Sequence, residues 1–149
     1  MQENSEKRGE LMRRIKGLAL LGLFFLLLGG CGVVVQPGKE FHLASRDFAQ
    51  RLRWMDVSGT ARHMLPEYAE DYRQRYLGRE DLRIVDVRFE TIELLEQGRE
   101  AEARMVVEYY LLPSLNVKKF RFSQHWAYLG GDRYHPGVWT ITSPFPPFP

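Results

Sequence analysis

The chain has 149 residues and a mass of 17.5 kDa; 44% hydrophobic and 27% charged residues give the composition of a folded, one-domain chain and exclude a disordered one. Lys and Arg number 21 against 19 Asp and Glu, and the excess of two lies wholly within residues 1–30, so the remainder is neutral and a nucleic-acid-binding surface is disfavoured. A single cysteine excludes an internal disulfide and a multi-cysteine zinc site.

Residues 1–17 are polar and carry Lys7, Arg8, Arg13, Arg14 and Lys16. Leu18–Leu28 is an apolar run, followed by Gly29, Gly30 and Cys31. A charged start, a short apolar stretch and small residues are the parts of a secretory signal peptide. The surroundings of Arg13-Arg14 match a twin-arginine export signal poorly. Leu28-Gly29-Gly30-Cys31 resembles the bacterial lipobox. The resemblance implies cleavage between Gly30 and Cys31, a diacylglycerol on the Cys31 thiol and acylation of the new amino group. Several acyl chains hold a protein firmly where one holds it marginally, because each buried methylene contributes about 0.8 kcal/mol. The competing reading is a spanning anchor, since residues 17–35 are uncharged and just long enough. Three glycines at 29, 30 and 32 weaken that helix. Gly32 stands where an aspartate favours inner-membrane retention in enterobacterial lipoproteins, so the outer membrane is the favoured destination. The expected organisation is a signal peptide over 1–30, an acylated cysteine and tether over 31–40, a domain over 41–143 and a Pro/Phe-rich tail over 144–149.

Phe41, Ala44, Phe48, Leu52 and Met55 recur at steps of three and four and predict a helix over about 41–55. Asp56 or Ser58 can cap a second helical turn that presents Ala61, Met64 and Leu65. Pro66, followed by Glu67 and Glu70, predicts the start of a third helix with a stripe of Tyr68, Ala69, Tyr72 and Tyr76, stopped at Gly78. From Leu82 the period changes to two. Val85, Val87 and Phe89 share one face and Asp86, Arg88 and Glu90 the other, and the shift at Ile92 and Leu94 predicts a bulge or bend. Glu100–Leu112 places Ala101, Ala103, Met105, Val107, Tyr109 and Leu111 on one face. Val117–Leu129 does the same with Phe120, Phe122, Trp126 and Tyr128, and Val138–Thr142 is a last short strand.

Three helices followed by a four-stranded antiparallel meander define an α+β domain. Phe48–Asp56 running into Ala61–Leu65, the alternating strand Ala101–Tyr109, and Gln124–Tyr128 followed by Gly137–Ile141 and Pro144 resemble the nuclear transport factor two-like, cystatin-type cone. The resemblance implies helices lying in the concave face of a bent sheet. It is a likeness of elements and not of a catalytic signature.

Members of that superfamily resembling ketosteroid isomerase place carboxylates in an apolar cone, where their pKa values are usefully displaced. No carboxylate falls on the apolar strand faces here. Asp86, Glu90, Glu100, Glu102 and Glu108 lie on charged faces, Asp56 reads as a helix cap, and Asp47 and Asp71 neighbour the helical stripes. His42, His63, His125 and His135 show no metal-ligand spacing. No catalytic residue, metal or cofactor is therefore expected. Tyr109, Gln124, Trp126, Tyr128 and Trp139 are the candidate lining of a pocket for a small apolar ligand; the same residues serve equally as core between sheet and helices. The functional expectation is a lipid-anchored, non-enzymatic binding or accessory module facing the periplasm. A small-ligand module is second and an isomerase or dehydratase third. The expected partners are the membrane, through the lipid, and another protein or a second copy, for which Val106, Tyr110 and Leu112 on the charged face of the second strand are a hint. Ser143–Pro149 reads either as a docking tail or as a chain end that lies on its own sheet or is disordered.

Overall fold

The computed structural model describes residues 37–131 and 135–149; Cys31, the signal peptide and the start of the tether lie outside them. The first helix, α1, spans Pro37–Arg53 and begins inside the expected tether. Proline at the first helical position lacks an N–H that would have had no partner there, and Glu40 sits in the first turn against the positive helix end. Phe41, Ser45, Phe48 and Leu52 form its buried stripe. Met55, with φ +55°, turns the chain into the short helix α2, Val57–Ala61. The Asp56 side chain caps α2 by accepting from the Gly59 N–H at 2.9 Å. The third helix, α3, spans Pro66–Tyr76 and buries Ala69, Tyr72 and Tyr76.

Four strands follow, β1 (Leu82–Leu95), β2 (Glu100–Leu111), β3 (Lys118–Leu129) and β4 (Val138–Ile141), in one antiparallel sheet of order β1-β2-β3-β4. One 3₁₀ turn, Glu96–Gly98, joins β1 to β2. β2 and β3 keep the expected alternation. Ala103, Met105 and Val107 face Gln124, Phe122 and Phe120 across the pair. The helices pack on this curved inner face, so the molecule has the α+β layout that the cone resemblance implies.

β1 departs from the simple pattern. Its register with β2 slips between Ile84 and Asp86 and again between Phe89 and Thr91. Each slip adds one residue and inverts the side-chain alternation. Leu82 and Ile84 point inward first, then Val87 and Phe89, then Ile92. Val85, expected inward, therefore stands at the first bulge and is 39% exposed. The second slip is the bend expected before Ile92.

The tail lies on its own sheet, one of the readings its sequence offered. Phe145 and Phe148 are buried, at 5% and 4% exposure, among Tyr72, Tyr76, Tyr109, Phe120 and Phe122. The two Phe side chains are part of the core. On the other side, the segment between α2 and α3 lies along β4. Ile141 donates to His63 O at 2.6 Å and Leu65 donates to Ile141 O at 3.1 Å. Among the described residues, no helix is long and apolar enough to cross a membrane.

Candidate functional site

The alternation of β3 places Gln124, Trp126 and Tyr128 in one inward row, and β4 sets Trp139 beside Tyr128. Trp126 meets the edges of Phe41 and Phe48, each with ring centres 5.5 Å away. Trp139 lies 4.9 Å from Phe41 and 5.7 Å from Tyr128. Four of the five candidate pocket residues thus form one wall, and its three aromatics pack with each other or with α1. Tyr109 stands apart, against Phe148 of the tail at 5.2 Å. The Tyr128 hydroxyl accepts from the Gly137 N–H at 2.7 Å, and Arg99 lies over its ring at 5.6 Å.

The wall holds a polar anomaly. Gln124 is fully buried, and among the described residues neither its amide oxygen nor its amide nitrogen has a hydrogen-bond partner. The indole N–H of Trp126, also buried, has none. Across the strand pair these residues face the small side chains Ala103 and Ala101. A buried amide without partners costs about 1–3 kcal/mol of desolvation for each group left unpaired. One row of β3 thus carries the amide N–H and C=O of Gln124 and the indole N–H of Trp126 without a partner among the described residues.

A second polar group ties the helices together. Asp47 Oδ2 accepts from Arg51 Nε at 2.7 Å and lies 2.8 Å from His63 Nε2, and Arg51 also reaches Asp56 Oδ2 at 2.8 Å. Arg51 beside it, followed by His63, holds the Asp47 carboxyl below its ordinary range. Burial pushes the His63 imidazole down, against the opposing pull of Asp47. The His63 ring packs on Phe48 at 5.9 Å and on Trp126 at 6.2 Å. Asp47 was legible as a neighbour of the helical stripe and Arg51 as its i+4 partner. Nothing local linked His63, 16 residues away. The carboxylate is 47% exposed and already engaged by two donors, so the group acts as a strap from α1 across to the segment after α2.

The charged strand faces lie outward. Arg88 bonds Asp86 and Glu108, Lys119 reaches Glu108, and Arg121 reaches Glu90. Val106, one of the residues that hinted at an interface, lies beneath this layer with Arg88 and Arg121 as its neighbours on either side, and it is fully covered. Long arginine stems cover apolar surface while their heads stay wet. Leu112 remains 42% exposed. Among the described residues, no three His, Cys, Asp or Glu side chains come together as a metal site. A groove of about 500 Å³ opens between α1 and β1, with Arg46, Arg53 and Trp54 on the helix side and Val87 and Phe89 on the strand side.

No protein-family model matches this sequence, and no curated protein matches it. Solved structures do. One is the TraE protein in complex with 2-chloroisonicotinic acid, with 15% identity and a TM-score of 0.44 over 75% of this chain and 95% of that one. Another is a candidate polyketide cyclase from Xanthomonas campestris pv. campestris, with 10% identity and a TM-score of 0.40 over 72% of this chain and 93% of that one.

Proposed function

We propose that the protein is a lipoprotein of the bacterial envelope, anchored through Cys31, whose α+β domain is a non-enzymatic binding or accessory module in the periplasm. The observation that carries the non-enzymatic part is the chemistry of the inner sheet face. From Met105 to Tyr109, from Phe122 to Tyr128 and from Trp139 to Ile141, every inward position is apolar or aromatic except Gln124. An amide neither donates nor takes up a proton near neutral pH, so this face offers hydrogen bonds, contact area and the weakly acidic phenols of Tyr109 and Tyr128, but no carboxylate and no imidazole. The anchor rests on Leu28-Gly29-Gly30-Cys31.

A second reading is favoured by the unpartnered Gln124 amide and Trp126 N–H: a small apolar ligand with at least one hydrogen-bonding group, held against β3. Native mass spectrometry of the full chain, extracted gently from its own membranes, separates the readings. Acyl mass on Cys31 together with a protein partner or dimer supports the accessory module. A small additional mass supports the ligand module. An unacylated, uncleaved chain refutes the anchor.

A further inference from the structure

Ser143–Pro149 reads SPFPPFP. Proline fixes φ and removes the N–H, so such a segment is already extended and loses little freedom when it docks. Three residues make one turn of a polyproline-type helix, so Phe145 and Phe148 fall on the same side of it. The receiving slot lies between α3 and the inner sheet face. Phe148 stacks on Phe120 at 5.1 Å with planes 10° apart and meets Tyr109 edge-on, while Phe145 meets Tyr72 and Phe122 edge-on at 5.0 and 5.2 Å. The polar contacts suit a chain poor in N–H groups. Arg75 donates to the Phe145 carbonyl at 3.1 Å, and the Tyr76 hydroxyl donates to the Phe148 carbonyl at 2.7 Å and accepts from its N–H at 3.2 Å. Aromatic walls combined with side-chain donors aimed at backbone carbonyls are what recognise proline-rich strands.

We propose that this slot is a peptide-recognition site held in cis by the chain's own Ser143–Pro149 segment, and that its partner in trans is a protein segment carrying the same Phe-Pro-Pro-Phe spacing. The proposal deepens the binding-module reading and rests on it; it does not depend on the anchor. The tail shows which chemistry the slot accepts, and because residues 144–149 belong to no helix or strand, their displacement breaks no strand pairing.

The test uses the full chain in detergent and a fluorescent synthetic peptide of Ser143–Pro149, followed by anisotropy. Three proteins are compared: the natural chain, a chain ending at Ser143, and a full-length chain with Phe145→Ala and Phe148→Ala. Near-UV circular dichroism establishes which of them are folded. The natural chain resists the peptide because a short tether gives its own tail a millimolar effective concentration. A folded variant with an empty or weakened tail binds at least tenfold more tightly. The same peptide with both Phe replaced by Ala does not bind, and adding Tyr76→Phe to the tail variant weakens binding severalfold. Folded variants that fail to bind, equal binding of the Ala peptide, or loss of the native fold in both tail variants overturns the proposal. A dimer that grows with concentration and disappears with the tail overturns it in favour of a second copy as the occupant. A small additional mass in the mass-spectrometric experiment bears on the ligand reading alone.

Discussion

Replacing Gln124 by Met is expected to stabilise the ligand-free protein. The two side chains are similar in length and volume, so no large cavity opens and no overpacking follows. What disappears is an amide that is fully buried with both of its polar atoms unpartnered. Leaving a buried group unpaired costs about 1–3 kcal/mol, and the two groups share one side chain, so a gain of about 1–3 kcal/mol is the conservative expectation. In a domain of this size a gain of 1 kcal/mol raises Tm by about 4 °C or somewhat more. Thermal unfolding of the purified chain with any ligand stripped, followed by near-UV circular dichroism, therefore shifts upward by roughly 4–12 °C. A Tm that falls instead means that the amide is satisfied in the ligand-free protein, which removes the reason for calling β3 a binding row. A rise in stability accompanied by loss of co-purifying small mass assigns Gln124 to the ligand.

Phe48→Ala is expected to cost about 3–5 kcal/mol, because Phe48 is fully buried against Trp126 and His63, whereas Phe148→Ala costs less, since Phe148 lies in a segment outside every helix and strand that can undock alone; denaturant titration of both variants checks the order. The folded His63 imidazole sits below its ordinary value of 6.5, so the unfolded chain takes up that proton first and stability falls as pH drops through 6.5 toward the folded value. His63→Gln should flatten the fall in stability below about pH 7, and an unchanged slope would clear His63 of the effect. Gly59→Ala should destabilise α2, because a Cβ there collides with the Asp56 carboxylate and the Arg51 guanidinium; Asp56→Ala removes the same cap, so the double variant should cost little more than either alone. Cys31→Ser should leave an uncut precursor without lipid, and a mature, released domain in that variant would refute the lipobox assignment.

What the sequence displayed plainly were features decided within a few residues. The Asp56 cap, the Pro66 start of α3 and the alternation of β3 each depend on neighbours along the chain, and each stands where its pattern placed it. The start of α1 was less legible, because Pro37 reads as linker or as first helical residue with equal ease. In β1 the change of face at Ile92 announced the second slip against β2, but nothing announced the first, because the alternation of Val85, Val87 and Phe89 runs unbroken across it. The long-range polar contacts were hidden too. Nothing near His63 announces Asp47, and nothing near Phe148 announces Tyr76, 72 residues earlier. Gln124 was visible as the odd polar residue on an apolar face, but whether it has a partner depends on three elements at once.

The segment between α2 and α3 and the bulges of β1 together have a consequence for how copies of this molecule can meet. A sheet invites another sheet to continue it wherever a strand presents a straight row of free N–H and C=O groups. On the β4 side, Ile141 already spends both groups on His63 and Leu65. On the β1 side, two bulges twist the strand, and Arg83, Arg88, Glu90 and Glu93 stud it with charge. Both flanks are thus poor templates for strand addition. A crowded population of such molecules would resist growing into a continuous sheet, and lasting contact with a neighbour has to come through side chains.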